Sequence, residues 1–360
     1  MNLPPPPDPE RTRRILVRST NWIGDIVMIS PALAALRRRF PAARIEAVAL
    51  PHLAECLHGN PAIDEVIPFD RRGRDSGAAG LLRLAARLRE RRYDAAVLFQ
   101  KAIGAALMAR VARIPVRIGL ASDRRGWLLT HPVPLAGDLA KRHHLEIFLE
   151  VARAAGCDVG DRTLFFPVGA EDHAWAASFL REHGADRFAF LVALHVGASK
   201  RPRAWHLDRF AAAARRIADG HRAGVLLLGG KAETADMAQV GAALGGDAID
   251  ATGRSTIKQM AALMARCRLL IGNDSGPMHL AGALGVPVVA IFGPGDPDRT
   301  APYVPQDGPP RVAVVTHRYP CSPCRQAFFE ECYPSPAGKP MCLESIGVDE
   351  VVQAAERLLA

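Results

Sequence analysis

The chain has 360 residues, of which 49% are hydrophobic and 23% charged, a composition typical of a globular protein and not of a disordered one. This length exceeds what one hydrophobic core usually organises, so we expect two domains. No apolar run approaches the roughly 18 residues of a membrane-spanning helix. The proline-rich residues 1–12 lack the apolar segment of a secretion signal, so we expect a disordered tail and a cytoplasmic protein.

The net charge is +9, and all of the excess lies in the first half of the chain. Residues 1–160 contain 25 Lys and Arg against 16 Asp and Glu, whereas residues 161–360 contain 21 of each. This asymmetry indicates an anionic partner for the first half, such as phosphorylated lipid, a membrane surface or nucleic acid. The alternative is a solvated basic surface without a specific partner. The candidate contacts are Arg71, Arg72, Arg74, Arg124 and Arg125.

Short apolar runs alternate with amphipathic stretches in the first half, as in a parallel α/β sheet. Residues 71–80, rich in Arg and Gly, are predicted to form a mobile loop. The predicted strands are 14–18, 44–50, 66–69, 95–99 and 116–119. The predicted helices are 26–40, 81–92, 103–113 and 141–155.

The same alternation returns after a connection at residues 156–170, so the second half is predicted to hold a second parallel sheet. The predicted domains are therefore 1–160 and 161–346, followed by a C-terminal helix at 347–360. The predicted strands are 189–195, 224–228, 269–271, 286–292 and 312–316. The predicted helices, besides one starting near Ser275, are 207–219, 234–244, 257–265 and 348–359.

The most informative stretch is 268–300, which has the pattern strand, polar turn, short helix, strand, polar turn. Ser275 suits a helix cap, and the N–H groups at Gly276 with the helix dipole favour an anion. Asp274 and His279 would flank that anion. The second turn, 293–298, follows the next strand, where ligands of open α/β sheets bind. The alternative is an ordinary capped helix in a βαβ unit.

Polar residues that could carry chemistry follow other predicted strands. Asp25 comes after the first strand and could accept a proton from a hydroxyl group, or could simply favour a helix start. Lys200 and Arg203 follow the strand at 189–195, where cations suit a diphosphate, although a solvated cluster is the alternative. Glu233 could accept hydrogen bonds from two neighbouring hydroxyls, or could act only as a helix-start acid.

Four of the seven cysteines lie within 22 residues. In a cytoplasmic protein such a cluster favours metal binding over disulfides, and four thiolates suit a structural Zn²⁺. Only the first pair has the spacing of two intervening residues, so four reduced thiols packing a loop remain the alternative. The remaining three cysteines are expected to be core thiols. The clustered cysteines are Cys321, Cys324, Cys332 and Cys342.

Two segments resemble a known family. The residues Gly-Asn-Asp-Ser-Gly-Pro-Met-His at 272–279, with Phe-Gly-Pro at 292–294, are similar to the C-terminal signature of glycosyltransferase family 9, the ADP-heptose:lipopolysaccharide heptosyltransferases. Residues 15–28 resemble the opening segment of the same family. Two motifs in the family's order are more specific than either alone, and the likeness extends over most of the chain. It is greatest to the heptosyltransferase II type.

The resemblance implies a GT-B fold, with two Rossmann-like parallel-sheet domains facing across a cleft. It implies that Asp25 is the general base and that no metal takes part in catalysis. Glu233 would hold a ribose, while His279 would contact the phosphates or the transferred sugar. The family's Lys-Arg-Trp stretch is altered here to Arg-Ala-Trp at 203–205, with Lys200 three residues earlier. Either cation could therefore stabilise the leaving ADP.

The function that the resemblance implies is inverting transfer of heptose from ADP-heptose to the inner core of lipopolysaccharide. The basic first half would hold the lipid A–core oligosaccharide acceptor at the inner face of the inner membrane, as a peripheral protein that does not bind nucleic acid. One alternative is another GT-B nucleotide-sugar enzyme, such as an epimerase or a different sugar transferase. The other is a basic nucleic-acid-binding protein without catalysis, against which the sequence offers no nucleic-acid motif.

Overall fold

A computed structural model describes residues 4–304, 311–322, 324, 329, 332 and 335–360. The chain divides into two compact units, Met1–Pro167 and Val168–Ala360. The boundary falls within the connection predicted at 156–170. Because the final helix packs against elements of unit 2, residues 347–360 belong to that unit.

In unit 1 the described residues form a six-stranded parallel sheet in the order β3-β2-β1-β4-β5-β6. Strand β1 lies between β2 and β4, with Val17 opposite Ala47 and Val97. The strands are β1 Arg14–Arg18, β2 Arg44–Ala49, β3 Glu65–Pro68, β4 Ala95–Leu98, β5 Val116–Leu120 and β6 His131–Val133. The helices are α1 Ile23–Met28, α2 Ser30–Arg39, α3 Pro51–Ala54, α4 Gly77–Glu90, α5 Ile103–Val111 and α6 His144–Ala154.

The helix predicted at 26–40 is two helices, α1 and α2, divided at Ile29. Pro31 lies in the first turn of α2, where its missing N–H costs no hydrogen bond. The Ser30 hydroxyl donates to Val27 O over 2.7 Å and accepts from the Phe165 N–H over 2.8 Å. The break leaves α1 short, so Asp25 lies in its first turn, close to the end of β1.

The structure differs from two expectations for unit 1. Where a disordered tail was expected, His131 Nε2 lies 3.1 Å from Pro5 O and Thr12 is buried. The loop predicted to be mobile is a hydrogen-bonded turn in which Asp75 is buried and pairs with Arg87 over 2.8 Å. Helix α4 then begins at Gly77, four residues earlier than predicted.

In unit 2 the described residues form a second six-stranded parallel sheet in the order β12-β11-β10-β7-β8-β9. The strands are β7 Leu191–His195, β8 Gly224–Leu227, β9 Ala248–Asp250, β10 Leu269–Asn273, β11 Val288–Phe292 and β12 Val312–Thr316. The helices are α7 Ala170–Glu182, α8 Leu207–His221, α9 Thr234–Leu244, α10 Ile257–Met264, α11 Gly276–Ala283, α12 Pro297–Thr300, α13 Met341–Glu344 and α14 Val348–Leu359.

The core of each unit follows from amphipathic helices packed on buried strands. In unit 1, α4 and α5 pack together against the sheet through Leu84 and Leu88. In unit 2, α8, α9 and α14 contribute to a single core whose largest fully buried side chain is Trp205. No described helix combines the length and the apolar character needed to cross a membrane.

Candidate active site

The carboxyl edge of the unit 2 sheet is where the sequence predicted an anion site. Strand β10 ends at Asn273, and α11 begins at Gly276 with Ser275 at its cap position. The Ser275 side chain makes no capping hydrogen bond; its hydroxyl donates to Asn273 O over 3.1 Å and lies 3.4 Å from His195 Nδ1. The first N–H groups of α11 therefore have no side-chain cap at Ser275, as an anion-binding helix start requires.

An ion pair stands beside this helix start. The Arg203 Nη2 atom donates to Asp274 Oδ2, and the two side chains are only 18% and 8% exposed. The Arg203 Nη1 atom also donates to Ser199 Oγ over 3.2 Å. Lys200, in contrast, is exposed. Of the two cations that the sequence left open, Arg203 forms an ion pair with Asp274 and is the more buried of the two.

Trp205 explains how the sequence places Arg203 there. Its backbone N–H donates to Asn273 Oδ1 over 2.9 Å, and its fully buried indole donates to Ile346 O over 3.2 Å. The Asn273 amide in turn donates to Val196 O over 2.6 Å. These bonds tie the segment after β7 to the end of β10, so the residue two positions before Trp205 reaches Asp274.

Glu233 and His195 meet at the same edge through a glycine. A Cβ atom on Gly197 would lie 2.8 Å from both Glu233 Cγ and His195 Cε1, so this close approach requires glycine. Glu233 Oε2 also accepts from the Gly230 N–H over 2.8 Å. The second polar turn, 293–298, lies close to Asp274. A Cβ on Gly295 would lie 2.2 Å from Asp274 Oδ2, so this contact also requires glycine.

His195 is a site residue that the sequence analysis missed. It is the last residue of β7, and its burial lowers the pKa of the imidazole to about 4. The ring is therefore neutral at pH 7 and can both donate and accept hydrogen bonds. A polar residue closing an apolar strand was the available signal. The predicted ligand His279 is also buried, in the first turn of α11.

In unit 1, Asp25 lies in the first turn of α1 with a side chain that is 24% exposed. Its Oδ1 atom is 3.8 Å from Nδ1 of His144, the first residue of α6. Phe148, one turn further along α6, contacts the His144 ring edge-on with 6.4 Å between centroids. Lys101 Nζ lies 6.0 Å from the Phe148 ring centroid. His144 was missed because the predicted helix began at 141, which hid its position at a helix start.

The predicted acceptor arginines divide into two kinds. Arg71, Arg72, Arg74 and Arg124 are exposed. The prediction that Arg125 contacts a partner is wrong, because its side chain is fully buried and donates to the carbonyl oxygens of Leu120, Gln100 and Ala102. Burial lowers its pKa to about 10. Arg125 holds together the loops after β4 and β5.

The four clustered cysteines line one cavity of about 260 Å³ in unit 2, and all are free thiols. Burial raises the pKa of Cys342 to about 11, and the other three cysteines add to that shift. Within the described ranges, no three His, Cys, Asp or Glu side chains are close enough together to hold a metal ion. The expectation that Cys56, Cys157 and Cys267 are core thiols is confirmed by their burial.

Comparisons with known proteins identify the family of this chain. Residues 81–331 match glycosyltransferase family 9 (heptosyltransferase). The chain belongs to that family. It is similar to lipopolysaccharide heptosyltransferase 2 of Salmonella typhimurium, with 28% identity over 301 residues that cover 80% of this chain and 85% of that protein. Among solved structures it is similar to a family 9 glycosyltransferase from Veillonella parvula, with 27% identity, a TM-score of 0.83 and coverage of 96% and 97%.

A second solved structure, Escherichia coli ADP-heptose lipopolysaccharide heptosyltransferase II, matches with 24% identity, a TM-score of 0.76 and coverage of 96% and 98%. At that identity the match bears on the fold, and it confirms the predicted GT-B class. Family membership makes the chain a glycosyltransferase, which decides against the non-catalytic alternative. The roles of individual residues stay predictions. The structure gives the positions of these residues near the carboxyl edges of the two sheets.

Proposed function

We propose that this protein is an inverting glycosyltransferase that moves heptose from ADP-heptose to the inner core of lipopolysaccharide. The observation that carries the proposal is the Arg203–Asp274 pair beside the uncapped start of α11, in a chain of family 9. Relatives that match over most of their length are named lipopolysaccharide heptosyltransferases. The donor would bind unit 2, and the acceptor would bind unit 1.

On the donor side, the diphosphate would take the α11 N–H groups and the Arg203 guanidinium as hydrogen-bond donors. Asp274 keeps that guanidinium neutralised and in place until a phosphate competes for it. Glu233 would accept hydrogen bonds from the ribose hydroxyls, and the exposed Lys200, three residues before Arg203, would be a second cation for the diphosphate. As the sugar leaves, negative charge grows on ADP, so fixed cations and N–H groups stabilise the transition state more than the bound donor.

On the acceptor side, Asp25 would remove the proton from the attacking hydroxyl. The acceptor oxygen then forms its bond to the anomeric carbon while the bond from that carbon to the phosphate oxygen breaks, and the electron pair departs on ADP. Attack opposite the leaving group inverts the anomeric configuration. His144, 3.8 Å from Asp25 Oδ1, would hold the carboxylate in one orientation. The scheme uses no catalytic metal.

The membrane is the second proposed partner of unit 1. Helices α4 and α5 pack side by side, and the turn that holds Trp127 contacts α5. These elements expose large apolar side chains beside arginines, a combination that suits an anionic lipid surface, where Trp settles at the interface. We call this the α4–α5 patch; it consists of Leu82, Ile103, Leu107 and Trp127 with Arg83, Arg110 and Arg124.

A structural Zn²⁺ is proposed for unit 2: the four cysteines line one cavity, and to hold the ion they would have to move closer together than they lie in the described structure. Thiol sulfur is the donor that zinc prefers in closed sites, and the ion would relieve the repulsion between neighbouring thiolates. It would take no part in transfer. Zinc binding is tested by comparing the metal content of the purified protein with that of the Cys324→Ser variant.

The transfer itself is tested by offering the purified protein ADP-heptose, another ADP-sugar, UDP-glucose or GDP-mannose with a truncated lipopolysaccharide acceptor. We expect mass spectrometry to show one added heptose on the acceptor and one equivalent of ADP from ADP-heptose alone. Asp25→Asn protein is the matched control for contaminating activity. Turnover of donor without transfer, or transfer only from another nucleotide sugar, would contradict the proposal.

A further inference from the structure

Among the residues that the structure describes, Arg18 is a buried cation without an acidic partner. It closes β1, and its side chain is 3% exposed. The Nη1 atom donates to the carbonyl oxygens of Ser19 and Val48, and Nη2 donates to Asn21 Oδ1 over 3.0 Å. No carboxylate among the described residues forms an ion pair with it. A buried charge held only by neutral acceptors is uncommon, because removal from water is compensated mainly by an opposite charge.

The surroundings of Arg18 add to this imbalance. The guanidinium lies 5.5 Å from the Phe69 ring centroid. Burial, and secondly the positive charge of Arg71, lower the pKa of Arg18 to about 10. The buried Arg125 of the same unit differs, because the nearby Asp123 opposes the effect of burial on its pKa. Arg18 therefore combines burial, a second cation and an aromatic face at one strand end.

Two hydroxyl groups next to Arg18 also have no partner. Ser19 Oγ and Thr20 Oγ1 are buried, and neither makes a hydrogen bond in the structure. Most buried polar side-chain atoms are hydrogen-bonded, and an exception calls for a specific explanation. Arg18 thus lacks a negative charge, and the next two residues of the chain lack hydrogen-bond acceptors; an anion reaching the end of β1 could supply both.

We propose that Arg18, with Asn21 and Arg71, forms a subsite for an anionic group of the acceptor, either a carboxylate or a phosphate. The inference rests on the function proposed above. Charge-assisted hydrogen bonds from a guanidinium suit both groups, and because Nη1 already donates to two backbone carbonyls, Nη2 is the atom that would contact the anion. Asn21 is only half-buried, so its amide is the part of the shell that an incoming anion displaces. Because Asp25 follows in the same segment, an anchored anion would fix the acceptor sugar relative to the base.

The test measures acceptor binding by calorimetry without donor, so that it does not depend on turnover. Wild type and the Arg18→Gln and Arg18→Lys variants are titrated with the native acceptor, a carboxyl-reduced form and a dephosphorylated form. Arg13→Gln is the matched control, since it removes an exposed charge just before the opposite end of the same strand. We expect Arg18→Gln to weaken binding of the native acceptor about ten-fold to a hundred-fold, and Arg18→Lys less.

The acceptor forms decide between the two anions and a purely structural role. If carboxyl reduction abolishes the difference between wild type and Arg18→Gln, the subsite binds a carboxylate; if dephosphorylation does so, it binds a phosphate. An equal loss on all three acceptors would show that Arg18 only holds the fold and would overturn the proposal. Heptose transfer by the wild type is scored separately, so the proposed function can stand or fail by itself.

A second pair of variants covers the case in which Arg18→Gln does not fold. Ser19→Ala and Thr20→Val remove hydroxyls that have no partner, so we expect an unchanged or higher melting temperature. Binding of the native acceptor should weaken a few-fold, and binding of the form without the recognised anion should not change. Unaltered binding of all forms by both variants would contradict the proposed subsite.

Discussion

The two sheets have the same parallel architecture, yet the arginines at their carboxyl edges differ in whether a carboxylate pairs with them. In unit 2, Arg203 is paired with Asp274, and His195 is neutral because burial lowers its pKa to about 4. In unit 1, Arg18 is buried and forms no ion pair with a carboxylate in the described part of the chain, and Asp25 lies beside a histidine. A paired cation must exchange partners when a ligand arrives, whereas an unpaired one gains a partner. The difference fits a donor that is later released as ADP and an acceptor that is held by its own charge.

The strongest way to break this comparison is to remove the base from unit 1. Asp25→Asn keeps the shape of the side chain but cannot take a proton at neutral pH. We expect kcat to fall by about 10² or more, because general base catalysis is lost. The affinity for ADP, measured by calorimetry, should stay unchanged, since its proposed site lies in unit 2.

His144→Gln is the companion variant, because glutamine keeps a polar side chain beside Asp25 but cannot carry a charge. If His144 only orients the carboxylate, kcat should fall much less than in Asp25→Asn, and the pH profile should keep its acidic limb. A kcat for Asp25→Asn within a few-fold of wild type would remove Asp25 from the mechanism. A weaker ADP affinity in that variant would contradict the assignment of donor and acceptor to separate units.

The next effect concerns the paired cation of unit 2. Arg203→Gln removes the ion pair with Asp274 and deprives the diphosphate of a guanidinium, so donor KM should rise and kcat fall, each about ten-fold. Lys200→Gln removes the same charge from an exposed position three residues earlier and should change both constants less. Steady-state kinetics with ADP-heptose compare the two variants. The reverse order of effects would assign the family lysine's role to Lys200.

Much of the fold was predictable because buried parallel strands and amphipathic helices have distinct periods in the sequence. Strands β1 and β12 and helices α9 and α14 begin and end where the pattern placed them. Strands β6 and β9 have three residues each, too few for any period to show. Helix α7 was missed because only Ala176, Phe179 and Leu180 are buried on it, so its apolar pattern is weak. The available helix-start signal was the acid Asp172 three residues after Gly169, which in the structure accepts from the Gly169 N–H.

The candidate site was predictable where one segment carries it and not where side chains converge from distant segments. Asp274, Ser275 and Gly276 follow β10 directly, so the strand end located them. The Arg203 pair depends on Trp205 bonding to Asn273, 68 residues away. Arg125 was mistaken for a surface residue, because no sequence pattern shows that three backbone carbonyls enclose its side chain. His144 approaches Asp25 only through tertiary packing of α6.

The smallest expected effect concerns the exposed face of unit 1. Arg72→Gln together with Arg124→Gln should raise acceptor KM a few-fold and weaken its dependence on salt, because exposed charges act through a screened field. Trp127, 76% exposed in the α4–α5 patch, should act through lipid instead. Trp127→Ala should reduce co-sedimentation with anionic vesicles and leave turnover of a delipidated acceptor unchanged.

These last variants sharpen the comparison because they separate two proposed roles of the exposed face of unit 1: attraction of the acceptor by arginines and binding of lipid by Trp127. Arg13→Gln, with its charge before the amino end of β1, is the control and should leave acceptor KM and vesicle binding near the wild-type values. If it matches the double variant, net charge alone attracts the acceptor, and the exposed loops have no special part. If the double variant loses ADP affinity while keeping the acceptor, the units are assigned the wrong way round. If Trp127→Ala lowers turnover of the delipidated acceptor, the tryptophan contacts the glycan and not the membrane.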